Sequence, residues 1–445
     1  MLLDDQPAYP MSCFTMIKLR GRFNVTVFES ALRKALEHHP LLTSLVAEAH
    51  GRFYWQNTGT MPDIIRLPLD EKRPFPASKG INLFRQPALK VTICNDNVNP
   101  SEVDLDGQTN IIFEIHHSAS DAVGIIRCIE DTLCGYARQT AFANVQREPV
   151  EPDLLVRRGR FGANTNWGTI LRTLPKQFWG LFRAWTFLLN RIVPLAPDKP
   201  NTRAPTPAAG YPAILRRNFT ATETLCVQLK AKQLGVTIND LLLCTVFLAM
   251  NHWREQHVTD RNKGFLRIAV PTNLRTPADD RMPAANIVSM VFLDRKPEQI
   301  LDTESFYQGV CREMRHIKQC HLGWAFIHGL TVYRWIFGSF YKMTQKDQCW
   351  TTATVTNLGR LFTETPLPMR DGRVQIGESL ELIGIEASPP VRPQTALGIS
   401  VVTYAGCMTI NLHYDSRILT HSDAQSILDG LSLFESSGLA DIKTP

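Results

Sequence analysis

The chain has 445 residues, 44% hydrophobic and 20% charged, which is globular composition and excludes a mostly disordered, fibrous or collagen-like protein. At about 150 residues per domain, the length predicts two or three domains. A formal net charge of +6 (48 Lys+Arg against 42 Asp+Glu) is thin for so long a chain and argues against nucleic acid, which calls for a concentrated basic face.

The cysteines form no CxxC pair, which argues against zinc ribbons and thioredoxin-like motifs. Reduced thiols of a cytosolic protein fit better than a disulfide framework. The opening Met1-Leu2-Leu3-Asp4-Asp5 carries acids where a secretory signal needs basic residues. The longest apolar run, 241–250, is about half a membrane span. A cytoplasmic monomer without a transmembrane helix is therefore expected.

Residues 12–19 read as a strand. Asn24 can cap a helix to about residue 38, with Phe28, Leu32, Ala35 and Leu36 on one face, and Pro40 stops it. Strands are expected at 43–49, 51–55, 89–94 and 110–116. From 120 to 137, Ala122, Ile125, Ile126, Ile129 and Leu133 keep helical spacing. The composition then changes. No acid lies between Asp153 and Asp198, while Arg157, Arg158, Arg160, Arg172, Lys176, Arg183 and Arg191 do, and prolines crowd the end of the stretch. Residues 151–212 read as a crossover between two units, 1–150 and 213–445. Inside it, 167–192 keeps an apolar stripe that includes Leu174, Phe178, Phe182, Trp185, Leu189 and Ile192. Packing on the protein body is the plain reading, and peripheral contact with an anionic membrane is the alternative.

The second unit repeats the plan in coarse form. A strand at 213–219 leads to a helix that Thr220 caps, with Glu223 in the capping-box position and Gly235 past its end. A buried helix is expected at 237–253, strand-like runs at 265–271 and 286–293, and helices at 303–320 and 324–342. Strands at 351–356, 379–385, 396–404 and 407–414 precede a last helix at 421–434. His316, His321 and His328 have no carboxylate companions in pattern and read as surface or core histidines, so no metal site is expected.

The residues that carry chemistry are His116-His117-Ser118-Ala119-Ser120-Asp121-Ala122-Val123-Gly124. Alternation puts Ile111, Phe113, Ile115 and His117 on one strand face, and Glu114 and His116 on the other. The strand thus delivers an imidazole at its carboxyl end, beside a helix N-terminus, where ligand sites in α/β structures lie. Such an imidazole can act as a general base near neutral pH. Asp121, in the first turn, reads as a structural ion-pair partner and not as a remote triad acid. A His-His pair at a strand end is by itself often a core pair; the HHxxxD spacing at a strand-to-helix switch is what favours function. No GxSxG elbow and no P-loop is present.

This motif resembles the HHxxxDG of the CoA-dependent acyltransferase superfamily, which includes condensation domains, alcohol acetyltransferases, wax ester synthases and chloramphenicol acetyltransferase. Further segments resemble the family in order and spacing over nearly the whole chain: Ala31-Leu32 with His39-Pro40-Leu41-Leu42, Gly235-Val236-Thr237-Ile238-Asn239-Asp240, Pro271-Thr272-Asn273-Leu274-Arg275 with Asn286, Thr356-Asn357-Leu358-Gly359, and Tyr414-Asp415. The resemblance implies an α/β fold of two chloramphenicol-acetyltransferase-like domains, forming a pseudo-dimer with a tunnel between them. It implies an acyltransferase that moves an acyl group from a thioester to a hydroxyl or amine. The co-substrate would be acyl-CoA or the phosphopantetheinyl arm of an acyl carrier protein, with no covalently bound cofactor. The acceptor would be a small molecule or lipid-like. His116, His117 and Asp121 would form the catalytic motif, with His117 as base. Asp121 would pair with Arg275, and Thr356 and Asn357 would line the oxyanion site. The family glycine after the Asp is Ala122 here, which narrows the site if that glycine serves close approach. A free-standing condensation enzyme forming an amide, or a catalytically silent acyl-carrier or lipid-binding relative, are the alternative readings.

Overall fold

Side-chain caps set where most of the helices begin. In the computed structural model, which describes residues 1–95, 107–159, 189–197, 206–259, 264–338 and 348–431, helix α1 (Val25–Leu36) starts where Asn24 Oδ1 accepts the Val27 amide at 3.1 Å. It buries Phe28, Ala31, Leu32, Ala35 and Leu36. Helix α2 (Ala122–Thr140) starts where Asp121 Oδ1 accepts the Gly124 amide at 2.9 Å. Thr220 and Thr237 build reciprocal capping boxes with Glu223 and Asp240 at the heads of α3 (Ala221–Gln233) and α4 (Ile238–His257). These caps satisfy amides that have no partner inside the helix, each contributing about 1 kcal/mol.

The first sheet holds β1 (Ser12–Gly21), β4 (Ile64–Pro68), β5 (Leu89–Asn95) and β6 (Gln108–His116), with β1 antiparallel to β6. A separate hairpin joins β2 (Ser44–Ala49) and β3 (Arg52–Asn57). The second sheet runs β7 (Ala213–Asn218), β15 (Cys407–Tyr414), β14 (Leu397–Tyr404), β10 (Ala353–Arg360), β8 (Leu266–Asn273), β9 (Val288–Arg295). Its parallel strands β8, β10 and β14 point their carboxyl ends the same way. Helix α4 is apolar nearly all round and packs inside the second core with α5 (Glu304–Gln319) and α7 (His421–Gly430). Helix α6 (Leu322–Phe337) packs on β9.

The sheets do not follow the two chain halves. The first sheet is completed by β11 (Met369–Arg370), β12 (Arg373–Gly377) and β13 (Leu380–Ser388), and β13 lies directly against β1. Leu380, Leu382 and Ile385 are buried in one cluster with Ile17, Leu19, Phe113 and Ile129. The sequence assigns 379–385 to the 213–445 unit, whereas its hydrogen-bond partners belong to the first sheet. A strand pattern states which face is buried and not which neighbour it pairs with. β11 and β12 were not expected; Asp371 and Gly372, both at positive φ (52° and 75°), make their two-residue turn, the strongest local hairpin signal. β4 also escapes the pattern, because as an edge strand it is largely exposed and shows no alternation.

Of the 151–212 crossover, residues 160–188 and 198–205 lie outside the described set, and so does most of the stripe at 167–192 and the end of the expected last helix beyond Leu431. Among the described residues no single helix is long and apolar enough to cross a membrane. Truncating Leu382, fully buried across the two halves, should lower unfolding free energy by about 2–5 kcal/mol. Leu301→Ala, at an exposed position, should change it by less than about 0.5 kcal/mol. Equal effects in denaturant unfolding would contradict the placement of β13.

Candidate active site

The motif begins as the last residue of β6 and ends as the cap of α2. His116 is fully buried; its Nδ1 accepts the Ser118 amide at 3.2 Å, and its Nε2 lies 3.5 Å from Asp5 Oδ2. His117 follows the strand. Its amide donates to the Met11 carbonyl at 2.7 Å. Its Nδ1 lies 3.0 Å from the Ser120 carbonyl oxygen, an acceptor only, so Nδ1 carries the proton and donates. The lone pair is therefore on Nε2. Burial is the main influence on the ring and lowers its pKa below the ordinary 6.5, partly opposed by the Ser120 hydrogen bond and the Asp121 charge. The imidazole is neutral at physiological pH.

Asp121 is buried, and both carboxylate oxygens are occupied. Oδ1 accepts the Gly124 amide; Oδ2 accepts from Arg275 Nη1 at 2.8 Å and from the Ile287 amide at 2.7 Å. Arg275 Nη2 donates to the Ala285 carbonyl at 2.9 Å, and that carbonyl also accepts the Asp121 amide at 3.2 Å. The Asp121 carboxylate thus holds the loop and does not bond the His117 ring.

Arg275, Ala285 and Ile287 belong to the connection between β8 and β9, which reaches out of the second half. Leu274, Met282, Ala284, Ala285 and Ile287 of this connection are buried in the first core. Asn286 Nδ2 donates to the His117 carbonyl, and the Ala284 amide donates to His39 Nδ1 at 2.8 Å. His39 Nε2 in turn meets Asp131 Oδ2 at 3.0 Å, and burial lowers its pKa. The first-half HPLL segment therefore also anchors this arm.

A Cβ on Gly124 would lie 2.6 Å from Ser120 Oγ and 2.8 Å from Ala285 N. Close backbone approach is required at Gly124, two residues after Ala122, which is itself half-buried.

At the carboxyl ends of β8 and β10 lies a cleft of about 510 Å³, lined among others by Asn239, Asn273, Lys318, His321, Trp324 and Asn357. None of its lining residues belongs to the 116–121 motif; the link runs through Asn273, whose Oδ1 accepts the amide of Arg275, the partner of Asp121. Asn357 Oδ1 accepts the Gly359 amide at 2.9 Å. Thr356 pairs with Ser400 across β10 and β14 and is not among the cleft residues. Neither side chain makes a hydrogen bond to the motif loop among the described residues. Sequence reasoning missed Asp5, the Ser120 carbonyl and His39. A backbone carbonyl carries no sequence signal, and the other two act only through contacts distant in sequence. Cys128, Cys134 and Cys244 are buried, and burial pushes their thiols up (Cys134 to about 11), as befits apolar packing.

No family model and no curated protein matches the sequence. The fold does match solved structures. The first condensation domain of the calcium-dependent antibiotic synthetase, in complex with a substrate analogue, aligns at 13% identity over 96% of this chain and 91% of its own, with a TM-score of 0.65. The starter condensation domain of rhizomide synthetase, in complex with C8-CoA, aligns at 13% identity over 99% and 92%, TM-score 0.63. The TRI3 trichothecene 15-O-acetyltransferase of Fusarium sporotrichioides aligns at 13% identity over 97% and 91%, TM-score 0.62. The chain therefore has the α/β fold of these condensation domains and of the TRI3 acetyltransferase.

Removing either member of the Asp121–Arg275 pair leaves a buried charge unpaired, so Asp121→Ala and Arg275→Met should each destabilise by about 3–5 kcal/mol. The double variant should fall short of their sum by about 0.5–3 kcal/mol. Strict additivity in denaturant unfolding would argue against the pairing. Gly124→Ala should cost about 1–3 kcal/mol through overpacking against Ala285.

Proposed function

We propose that this condensation-fold chain transfers an acyl group from a thioester, of CoA or of a carrier-protein phosphopantetheine, to a hydroxyl or amine acceptor. The observation that carries the proposal is the His117 tautomer: Nδ1 is committed to the Ser120 carbonyl, so a neutral imidazole offers Nε2 as base. Nε2 takes the acceptor proton as its oxygen or nitrogen attacks the thioester carbonyl. The tetrahedral oxyanion collapses, the carbon–sulfur bond breaks, and the imidazolium returns the proton to the leaving thiolate. We assign Thr356 and Asn357 to the oxyanion, which preorganised donors stabilise; the place of Asn357 on the cleft supports its part, while Thr356 does not line the cleft. His116, tied to Ser118 and beside Asp5, and Asp121, tied to the second-half arm, position the base. The cleft beside Asn273 suits the thioester arm, because ligands of α/β sheets bind outside the carboxyl ends of parallel strands. The solved complex of a starter condensation domain with C8-CoA makes acyl-CoA the first thioester to test.

The test is free-thiol release from a panel of acyl-CoA and acyl-pantetheine thioesters with alcohol and amine acceptors. Turnover with an alcohol supports ester formation, and turnover with amines alone supports the condensation reading. His117→Ala should lower turnover by about 10²–10⁴-fold with near-normal unfolding. Retained transfer would falsify the base assignment. Because burial disfavours the imidazolium, kcat/KM should stay level through neutral pH and fall only below the ordinary histidine range, as His117 protonates. A decline that begins above neutrality as pH falls would contradict it.

A further inference from the structure

Both histidines of the motif lead back to one carboxylate near the start of the chain. His116 Nδ1 accepts the Ser118 amide at 3.2 Å, and a backbone N–H only donates, so Nδ1 holds the lone pair and Nε2 the ring proton. That Nε2 is buried and has no hydrogen-bond partner among the described residues. It faces Asp5 Oδ2 at 3.5 Å, just outside hydrogen-bond length, and bonds in such sites often tighten only when substrate is in place. The other oxygen, Asp5 Oδ1, accepts the Met11 amide at 2.9 Å, and the Met11 carbonyl accepts the His117 amide at 2.7 Å. One carboxylate thus faces the His116 ring directly and reaches the His117 backbone through a single residue.

Each of these two places needs an acceptor, because the Met11 amide and His116 Nε2 both donate. A carboxylate accepts at both oxygens, whereas the amide of an asparagine of the same size accepts at one end and donates at the other. In either orientation, asparagine at position 5 would set one N–H against another. The segment that carries Asp5 has anchors of its own. Asp4 Oδ1 accepts from Arg392 Nη2 at 2.7 Å, and the Arg417 guanidinium lies 4.1 Å above the centre of the Tyr9 ring. Ala8 and Tyr9 are buried with Val391, and Pro10 packs on Gly80, where a Cβ would collide with the proline ring.

We propose that Asp5 is a positioning residue: its carboxylate fixes the His116 ring and, through Met11, the His117 backbone, and so sets where the His117 ring meets the Ser120 carbonyl. That this placement serves a base rests on the acyl-transfer reading; the placement itself does not. The test compares the full chain with Asp5→Asn, and with Asp4→Asn as control. Nitrogen-15 NMR of the histidine side chains, with His116 assigned by comparison with His116→Gln, should show the parent His116 unprotonated at Nδ1 and protonated at Nε2. In Asp5→Asn the His116 Nε2–H and His117 Nδ1–H signals should both move, while the thermal midpoint stays near the parent's because the anchors remain; in Asp4→Asn both signals should stay. With a thioester that turns over, Asp5→Asn should lower kcat on the order of tenfold or more and leave KM within about twofold, since misplacement of the base costs chemistry and not binding. A parent His116 protonated at Nδ1, parent-like histidine signals in Asp5→Asn, or a parent-like kcat in that variant would overturn the proposal. The expected signals in a parent that turns over no thioester would count against the acyl-transfer reading and support the placement by Asp5.

Discussion

A buried carboxylate needs enough donors to offset its lost hydration, and the structure spends three of them on Asp121. One comes from the helix it caps, and two come from the other half of the chain, Arg275 and the Ile287 amide. This arrangement makes the geometry of the motif loop conditional on docking of the halves. Without the arm from the second half, Asp121 would be a buried charge with one backbone partner, a state that costs several kcal/mol. With the arm in place, the Ala285 carbonyl, Asn286 and Arg275 close on both ends of the loop, and the Ser120 carbonyl is set where His117 Nδ1 must meet it.

The same logic explains why the second half sends two segments into the first core. The arm carries Ala284, Ala285 and Ile287 into the first core, and β13 carries Leu380, Leu382 and Ile385 there. Each segment buries apolar surface that neither half covers alone, which stabilises the relative placement of β6 and β10 and of the residues at their ends. Gly124 is part of this contact. Its missing side chain lets α2 approach Ala285.

The legible parts of the fold were those with local causes. The caps at Asn24 and Thr220, the stripe on α1 and the strand alternation that ends at His116 depend on neighbours within a few residues, and each sits where the sequence puts it. Pairing of distant segments is not encoded that way. The run at 379–385 reads as a strand of the second half because nothing in it names β1 as its neighbour. The motif residues were visible as types and spacing. What fixes the proton on His117, a backbone carbonyl of Ser120, has no side chain to read. The anchor at His39 was quoted only as part of a helix-ending segment, and its contact with the Ala284 amide spans the two halves.

The central claim is that the loop held by the second half leaves Nε2 of His117 as the free lone pair of a neutral ring. Nitrogen-15 NMR of the histidine side chains, with His117 assigned by comparison with a His117→Gln variant, reads the tautomer directly. The account predicts a protonated Nδ1 and an unprotonated Nε2 for His117 at neutral pH, persisting to a pH below the ordinary histidine range. A proton on Nε2, or a ring already cationic at neutral pH, would contradict it.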